Sequence, residues 1–330
     1  MSNTAEVLRQ CRSLPGVTVT EKESYTEMQL SSSQGHGCMR FVPLFPGITL
    51  ALISVSAPSW PAPLLGNGAP EAKGPLIVNY CLRGRCELVL NDSRSVFLTS
   101  GHISLTEKFA CGEYIYPGSV YEGIELFIDP DDMEPPLLRD HFGIRIPTLR
   151  RLYCLEGETF IAKLPLPEEL TDRLQGLSIT EEPVRTISMK TGVIDLLALL
   201  QYRHPAPEAK RLTYYTKPQV EMAKQIEAII SGDLSQPHTA REFAARFSVS
   251  ESSIKNYFRG VYGQSILQAP HTGVCCTQWS CSPPPPCRSL RSPAASAMRI
   301  KANSPLHSGK AAASRRVSSA KANKLLHGAT

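Results

Sequence analysis

Between Phe41 and Asp129 the apolar positions come in short runs, GITLALISV, PLIVNYCL, CELVLN, SVFLTSG and YEGIELFID, parted by Gly, Pro, Asn and Asp. Runs of this length at near-regular spacing predict an antiparallel sheet folded as a barrel or sandwich. Arg83-Gly84-Arg85 and Asn91-Asp92 are the expected hairpin turns. The Pro- and Gly-rich tract from Ser56 to Gly74 is expected as a loop. Residues 41–130 are thus read as a barrel domain, with 1–40 set apart as an N-terminal segment.

After Pro130 the period changes. DDMEPPLLRDHFGI and LPEELTDRLQGL mix apolar residues at helical spacing with charges, so short helices follow the sheet. In MKTGVIDLLALLQYR, Met189, Val193, Leu196, Leu197 and Leu200 recur at i, i+4, i+7, i+8 and i+11, the stripe of an amphipathic helix. Such a stripe packs on its own domain or pairs two subunits. The sequence leaves that choice open, and 131–204 is read as a helical region with a candidate dimerisation helix. The polar, proline-bearing HPAPEAKRLTYYTK predicts an interdomain linker over 205–217.

A second helical pattern begins at PQVEMAKQIEAIISG, where Val220, Ile226, Ile229 and Ile230 mark one helix. Thr239 with Glu242 forms a capping box that starts the next, Ala240 to Phe247. The break Ser248-Val249-Ser250 leads into a third helix capped by Ser250. Two short helices joined by a tight turn are the sequence form of a helix-turn-helix. Ala244, Val249, Ile254 and Phe258 are expected to hold its core. Ser252, Ser253, Lys255, Asn256 and Arg259 then lie on other faces of the last helix. Arg and Asn suit bidentate base contacts, and Ser and Lys suit phosphates. The plain alternative is a small helical domain with a solvated face.

The pattern T-x-x-E-x-A-x-x-F-x-V-S-x-x-x-I-x-x-x-F-x-x-x-x-G from Thr239 to Gly263 resembles the first helix-turn-helix of AraC/XylS-type transcription regulators. The likeness covers most of 40–266, closely in the helical part and only architecturally in the barrel. It implies a multidomain fold, β plus all-α: a cupin-like effector-binding barrel, then a DNA-binding domain over 218–266. The partners it implies are DNA and a small-molecule effector, beside the second copy of the chain that the Met189–Leu200 stripe leaves open. Within the family the body looks most like regulators of siderophore and iron uptake, which makes a ferric chelate one candidate effector. Tyr80, Arg83, Arg85, Tyr114, Tyr116 and Tyr121 are candidate pocket residues; strand tyrosines and hairpin arginines also serve purely structural ends.

Charge divides the chain at the same place. All 30 acidic residues precede Gly260, together with 26 of the 35 basic ones, and the remaining residues contain no carboxylate at all. The family expects a linker helix R-x-x-x-A-x-x-L-L, a second unit with I-A-x-x-x-G-[FY] and a closing G-x-x-P-x-x-[FY]-R, and none occurs after Ile266. Reading the third base of each tail codon with the first two of the next changes this. Gly273 to Ser282 then permits Arg-Met-Leu-Tyr-Ala-Met-Glu-Leu-Leu, and Arg288 to Pro293 permits Val-Ala-Glu-Ile-Ala. Ser296-Ala297 permits Gly, followed from Ala297 to Ser308 by Tyr-Glu-Asn-Gln-Ser-Lys-Phe-Ala-Ser-Ala-Phe. Ala312 to Ala320 permits Gly-Val-Thr-Pro-Ser-Glu-Phe-Arg. The motifs share one offset, in order and in register. The expectation is that residues from about 267 onward are an out-of-frame product, disordered by its Pro, Ser and Ala content, and that DNA binding is impaired in this form.

Other readings were weighed against this one. The tail pattern C-C-x4-C-x5-C, within LQAPHTGVCCTQWSCSPPPPCRSL, has no CxxC pair and makes a poor zinc site. As a nucleic-acid-binding arm the tail is basic but lacks clustered charge. The rival for the whole chain is a metal-dependent cupin-type enzyme or a small-molecule-binding cupin. The predicted strands offer it only His102, with His36 upstream, and no nucleophile elbow or phosphate loop occurs, so neither enzymatic activity nor a cofactor is expected. Cys11, Cys38, Cys81, Cys86, Cys111 and Cys154 read as reduced thiols. MSNTAEVLRQCRSL lacks a signal-peptide core and no segment approaches a membrane span, so a cytoplasmic location is expected.

Overall fold

Along YEGIELFID, Ile124, Leu126 and Ile128 face one way and Glu125 and Phe127 the other, and both sets are buried. A strand buried on both faces needs a layer on each side. The computed structural model describes residues 8–61, 74–90, 93–107, 113–129, 135–154, 158–177, 179–205, 212–232 and 238–271, and both layers are among them. The strands are β1 (Val17–Glu21), β2 (Thr26–Ser32), β3 (Gly35–Phe45), β4 (Ile48–Ser56), β5 (Ser59–Pro61), β6 (Leu76–Val89), β7 (Ser95–Thr99), β8 (His102–Thr106), β9 (Glu113–Ile115), β10 (Tyr121–Ile128) and β11 (Phe160–Lys163).

The main sheet has nine strands in the order β1-β2-β3-β4-β10-β6-β8-β11, with β7 branching from β6. β5 and β9 form a separate two-stranded ribbon. Among the described residues no pairing joins β1 to β11, so the predicted cupin-like barrel is an open sheet rather than a closed one. Within it β6 exchanges one neighbour for another. Its first half pairs with β8 (Ile77 to Tyr80) and its second with β7 (Arg85 to Val89), and the β10 register slips between Glu122 and Gly123 where the change occurs. Arg83-Gly84-Arg85 is therefore not a hairpin turn. It is the bend inside β6, where Gly84 takes a φ of 85° beside the backbone of Val120, a position that admits little but glycine.

The sheet also begins and ends outside the expected 41–130. β1 and β2 belong to the segment set apart as 1–40, β11 follows two helices, and Ser59–Pro61 is strand rather than loop. Asn91-Asp92 and the rest of the Ser56–Gly74 tract up to Lys73 lie outside the described residues, although β6 and β7 do pair as a hairpin.

One face of the sheet is covered by α1 (Pro136–Phe142), α2 (Ile146–Tyr153), α3 (Glu168–Gln175) and α4 (Glu182–Arg203). Met189, Val193, Leu196, Leu197 and Leu200 of α4 are all buried in that layer with Leu50, Leu76 and Ile124 of the strands. The stripe that left dimerisation open thus serves the chain's own core. Five such side chains represent about 10 kcal/mol of burial at ordinary transfer values, which explains why no partner has to supply it. What α4 leaves to solvent is Val184, Ile187 and Tyr202. Arg150 of α2 is only 7% exposed. It pairs with Glu107 and donates to the carbonyls of Gly74, Ile128 and Asp129, tying three strand ends together.

The helical unit comprises α5 (Lys217–Gly232), α6 (Ala240–Phe247) and α7 (Glu251–Tyr262). The Thr239–Glu242 capping box is formed in both directions, worth about 1 kcal/mol. Ser248 turns the chain in a left-handed conformation, and Ser250 caps α7 through the backbone N–H of Ser253. The linker expected over 205–217 is not free at its far end. Tyr215 exchanges two backbone hydrogen bonds with Ser95 of β7 and sets its ring 5.9 Å from that of Phe97; residues 206–211 lie outside the described residues. The tail from 272 onward, with its cysteines and prolines, lies outside them too.

Candidate functional site

Two places collect unusual chemistry: the inner face of the sheet and the outer face of α7. On the inner face, Asn79 of β6 stands directly across from Glu125 of β10. Asn79 Nδ2 donates to Glu125 Oε1 at 3.0 Å, and Tyr121 donates its hydroxyl to Asn79 Oδ1 at 2.6 Å. The chain of donors ends on a carboxylate 8% exposed. Around it lie Cys81, Cys86, Tyr116 and Tyr121, whose pKa values burial pushes further up. Burial also raises Glu125 to about 7.

Glu125 lines a narrow void of about 30 Å³ together with Cys11, Met28, Met39 and Trp60. A void of that size holds roughly one water molecule. Its roof is the β5–β9 ribbon, where Trp60 pairs across from Tyr114. Glycines make space for the rings: a Cβ on Gly37 would stand 2.7 Å from Trp60, and one on Gly123 would stand 2.7 Å from Tyr121.

Glu125 sets a pH dependence whose sign can be worked out. An unfolded glutamate loses its proton near 4.5 and the folded one near 7, so between these values the unfolded state binds fewer protons. Stability falls as pH rises through this window, by about 3 kcal/mol in total, and stays lowered above it. Glu125→Gln is expected to match the parent near pH 4.5 and to exceed it by about 3 kcal/mol at pH 8. Urea midpoints at the two pH values check this; equal differences at both would mean that the carboxylate is not held in this environment.

The six predicted pocket residues separate. Tyr114 and Tyr116 line the void, and Tyr121 stacks on Tyr116 at 4.9 Å. Tyr80 faces the helical layer, where its hydroxyl accepts from the backbone of Leu166. Arg83 is half-exposed and paired with Glu122. Arg85 reaches the other domain and donates to the carbonyl of Gly260 in α7. Glu125, Asn79 and Trp60 were not singled out by sequence. An acid flanked by apolar residues of both periods, as in GIELFI, is the signal that marks a buried carboxylate in such a strand.

On α7, Ile254 and Phe258 are fully buried against Ile226, Ile230, Phe243 and Ala244, with Val249 packed beside them. Ser252, Lys255, Asn256 and Arg259 are exposed and fall within an arc of roughly 100° opposite that core, at about 100° per residue. Ser253 sits at the flank, its hydroxyl 2.9 Å from that of Ser250. Lys255 is 3.5 Å from Glu251 on an open surface, a pair worth only a few tenths of a kcal/mol.

The two sites share one wall. In the β6–β7 hairpin, Cys86, Val96 and Leu98 point into the inner core, whereas Arg85, Glu87 and Phe97 point at the helical unit. Lys224 of α5 pairs with Glu87 at 3.2 Å, and Ser95 donates to the same carboxylate at 2.7 Å. Phe97 packs in a cluster with Tyr215, Val220, Ala223 and Val261.

Among the described residues, no three His, Cys, Asp or Glu side chains converge as a metal-ligand set. His102 is hydrogen-bonded with Thr99, and His36 is exposed on β3. Cys11, Cys38, Cys81, Cys86 and Cys154 are free thiols; Cys111 lies outside the described residues. No helix among these residues is long and apolar enough to cross a membrane.

No family model matches the sequence, and no curated protein is similar to it at a significant level. Several solved structures are similar to parts of the chain. They include unsaturated fatty acid-bound ToxT from Vibrio cholerae (TM-score 0.28, 11% identity, 60% of this chain and 70% of that one). The AraC-like transcriptional activator CuxR is similar at a TM-score of 0.26 and 15% identity, over 77% of this chain and 84% of that one. Scores this low describe a partial likeness, and they carry no functional weight beside the chain's own geometry.

Proposed function

We propose that the chain is a sequence-specific DNA-binding transcription regulator whose sheet domain receives a small-molecule effector and whose α6–α7 pair meets DNA. One observation carries the reading: the β6–β7 hairpin contributes side chains to the inner core from one face and holds α5 and α7 from the other. A guest that moves Cys86 or Leu98 moves the strands to which the helical unit is bound. The DNA-facing arc of α7 stays open in this arrangement, so the hairpin orients the helix rather than hiding it.

The DNA contacts are assigned to Ser252, Ser253, Lys255, Asn256 and Arg259. In low-salt gel shifts with random duplex, Lys255→Ala and Arg259→Ala are each expected to lower the slope of log affinity against log salt by about one. An unchanged slope in both variants would remove α7 from the interface.

Finer parts of the reading differ in support. A tail read out of frame from about 267 removes the second helix-turn-helix unit, and we infer that operator affinity is impaired accordingly. The described lining of the inner core holds one carboxylate and no cation, which disfavours an anionic ferric chelate. A homodimer built on α4 would have to use the exposed Val184, Ile187 and Tyr202, because the main stripe of that helix is already buried. Nothing in the described residues favours the metal-dependent enzyme.

Coupling through the wall has its own test. Arg85→Ala combined with Glu87→Gln is expected to split a single thermal unfolding transition into two, the helical unit melting first. A transition that stays single in the double variant would show that the wall does not join the domains.

A further inference from the structure

We propose that the inner core recognises a small organic cation, an ammonium group on a compact apolar body, with Glu125 as its counter-charge and the surrounding aromatic rings as its walls. The inference rests on the reading of this core as the effector site and goes on to name the chemistry of the effector.

Once Glu125 is ionised, charge in the inner core is out of balance. Glu125 is buried and accepts one hydrogen bond from Asn79, whose own acceptor is taken up by Tyr121. No Lys, Arg or His stands among the described residues that line the void. A buried carboxylate without a counter-ion costs several kcal/mol, and Gln or Leu would fill the same space at less cost. Asn79, itself held by the Tyr121 hydroxyl, donates to the carboxylate, and Glu125 also borders the void. What the position lacks is positive charge.

The walls suit such a guest. Phe41, Trp60, Tyr114, Tyr116 and Phe127 all border the void. Phe41 and Phe127 lie 6.0 Å apart at a tilt of 37°, and Trp60 and Tyr114 face each other across the ribbon. An ammonium within about 6 Å of such ring faces is attracted by their quadrupoles, most strongly where water is excluded. The same walls disfavour other guests. An anion would meet Glu125, and a sugar would find few partners for its hydroxyls.

Size adds a consequence. The void is about 30 Å³, so any guest larger than water must part the three-residue ribbon strands from the sheet. Trp60, at 1% exposure, then changes its surroundings on binding. The void is also bordered by Phe127 and Met39 of the main sheet, and the adjoining core includes Cys86 and Leu98 of the coupling hairpin.

The test uses the full chain with Trp279→Phe, so that emission reports Trp60 alone, and titrates benzylammonium, benzyl alcohol and benzoate, which share one shape and differ in charge. Benzylammonium is expected to bind at least roughly tenfold more tightly than the alcohol, with benzoate weakest. Glu125→Gln is expected to erase the preference for the amine while leaving the melting temperature at pH 8 no lower. The inference is overturned if the alcohol or benzoate matches the amine, if Glu125→Gln keeps the preference, or if tetramethylammonium and benzylammonium both fail to perturb Trp60 at millimolar concentration. A Glu125-dependent preference for the amine that leaves DNA binding unchanged would support this site and sink the regulator reading instead.

Discussion

Phe258→Ala is expected to unfold the helical unit while leaving the sheet domain standing. Phe258 has no exposed surface and sits at the centre of a small core with Ile226, Ile230, Phe243 and Ile254, its ring 4.9 Å from that of Tyr262. Truncating a buried phenylalanine costs about 3–5 kcal/mol through lost transfer energy and the cavity left behind. A unit of three helices has little stability in reserve against such a loss. Far-UV circular dichroism should lose the signal of α5 to α7, while in a Trp279→Phe background Trp60 emission stays that of a buried ring. Phe258→Leu, which keeps most of the volume, is expected to cost less than about 1.5 kcal/mol and to remain folded. If the alanine variant kept its helicity, the core assigned here would not be what holds α7 in place.

Why this unit was so legible, and the sheet domain less so, follows from the range of the interactions. The capping box at Thr239 and Glu242, the serine cap at Ser250 and the Ile254–Phe258 spacing are set by residues three or four positions apart, so the sequence displays them directly. The β domain depends on pairings between distant strands. VTVTE gives only a weak alternation, and nothing local shows that β1 and β2 extend the sheet beyond β3. A Gly between two arginines is the mark of a hairpin turn. Only the position of β10 across from it makes Gly84 a bend inside a long strand. Arg150 looks like any helical arginine until the carbonyls of Gly74, Ile128 and Asp129 are brought around it.

The candidate site divides along the same line. The exposed arc of α7, proposed to face DNA, follows from helical periodicity once the buried face is known. The inner core does not, since Asn79 and Glu125 are 46 residues apart in the chain and meet only through the β6–β10 register. Arg85 shows the limit most clearly. Its type and strand position suit a ligand pocket, yet the odd-numbered face of the hairpin turns it toward Gly260 of α7. Residues at a domain interface are chosen by two structures at once, and one strand's pattern carries information about only the first.

On the proposed out-of-frame reading of the tail, restoring its frame is expected to raise specific operator affinity by a factor of roughly a thousand or more, the usual separation between specific and non-specific binding. On the proposed reading the described residues offer one recognition helix, α7, whose exposed arc carries Lys255 and Arg259. A single short helix reaches only a few base edges of one major groove, and phosphate contacts of this kind give affinity without sequence information. The family pattern that Thr239 to Gly263 resembles places a second helix-turn-helix in a successive groove. A second unit roughly doubles the groove contacts, and it gives the register between the two helices a defined spacing. Ile266, buried against Ile226 and Phe258 at the end of the described helical core, is the last residue before the motifs cease to match. The comparison is made with duplexes selected from a random pool by the frame-restored chain, at one salt concentration, with both chains. The present chain should show weak binding that falls steeply with salt and barely distinguishes selected from scrambled duplex. The restored chain should distinguish them strongly. Equal discrimination by the two chains, or gene codons incompatible with the offset motifs, would sink the frame-shift reading and leave the tail to be explained on its own terms.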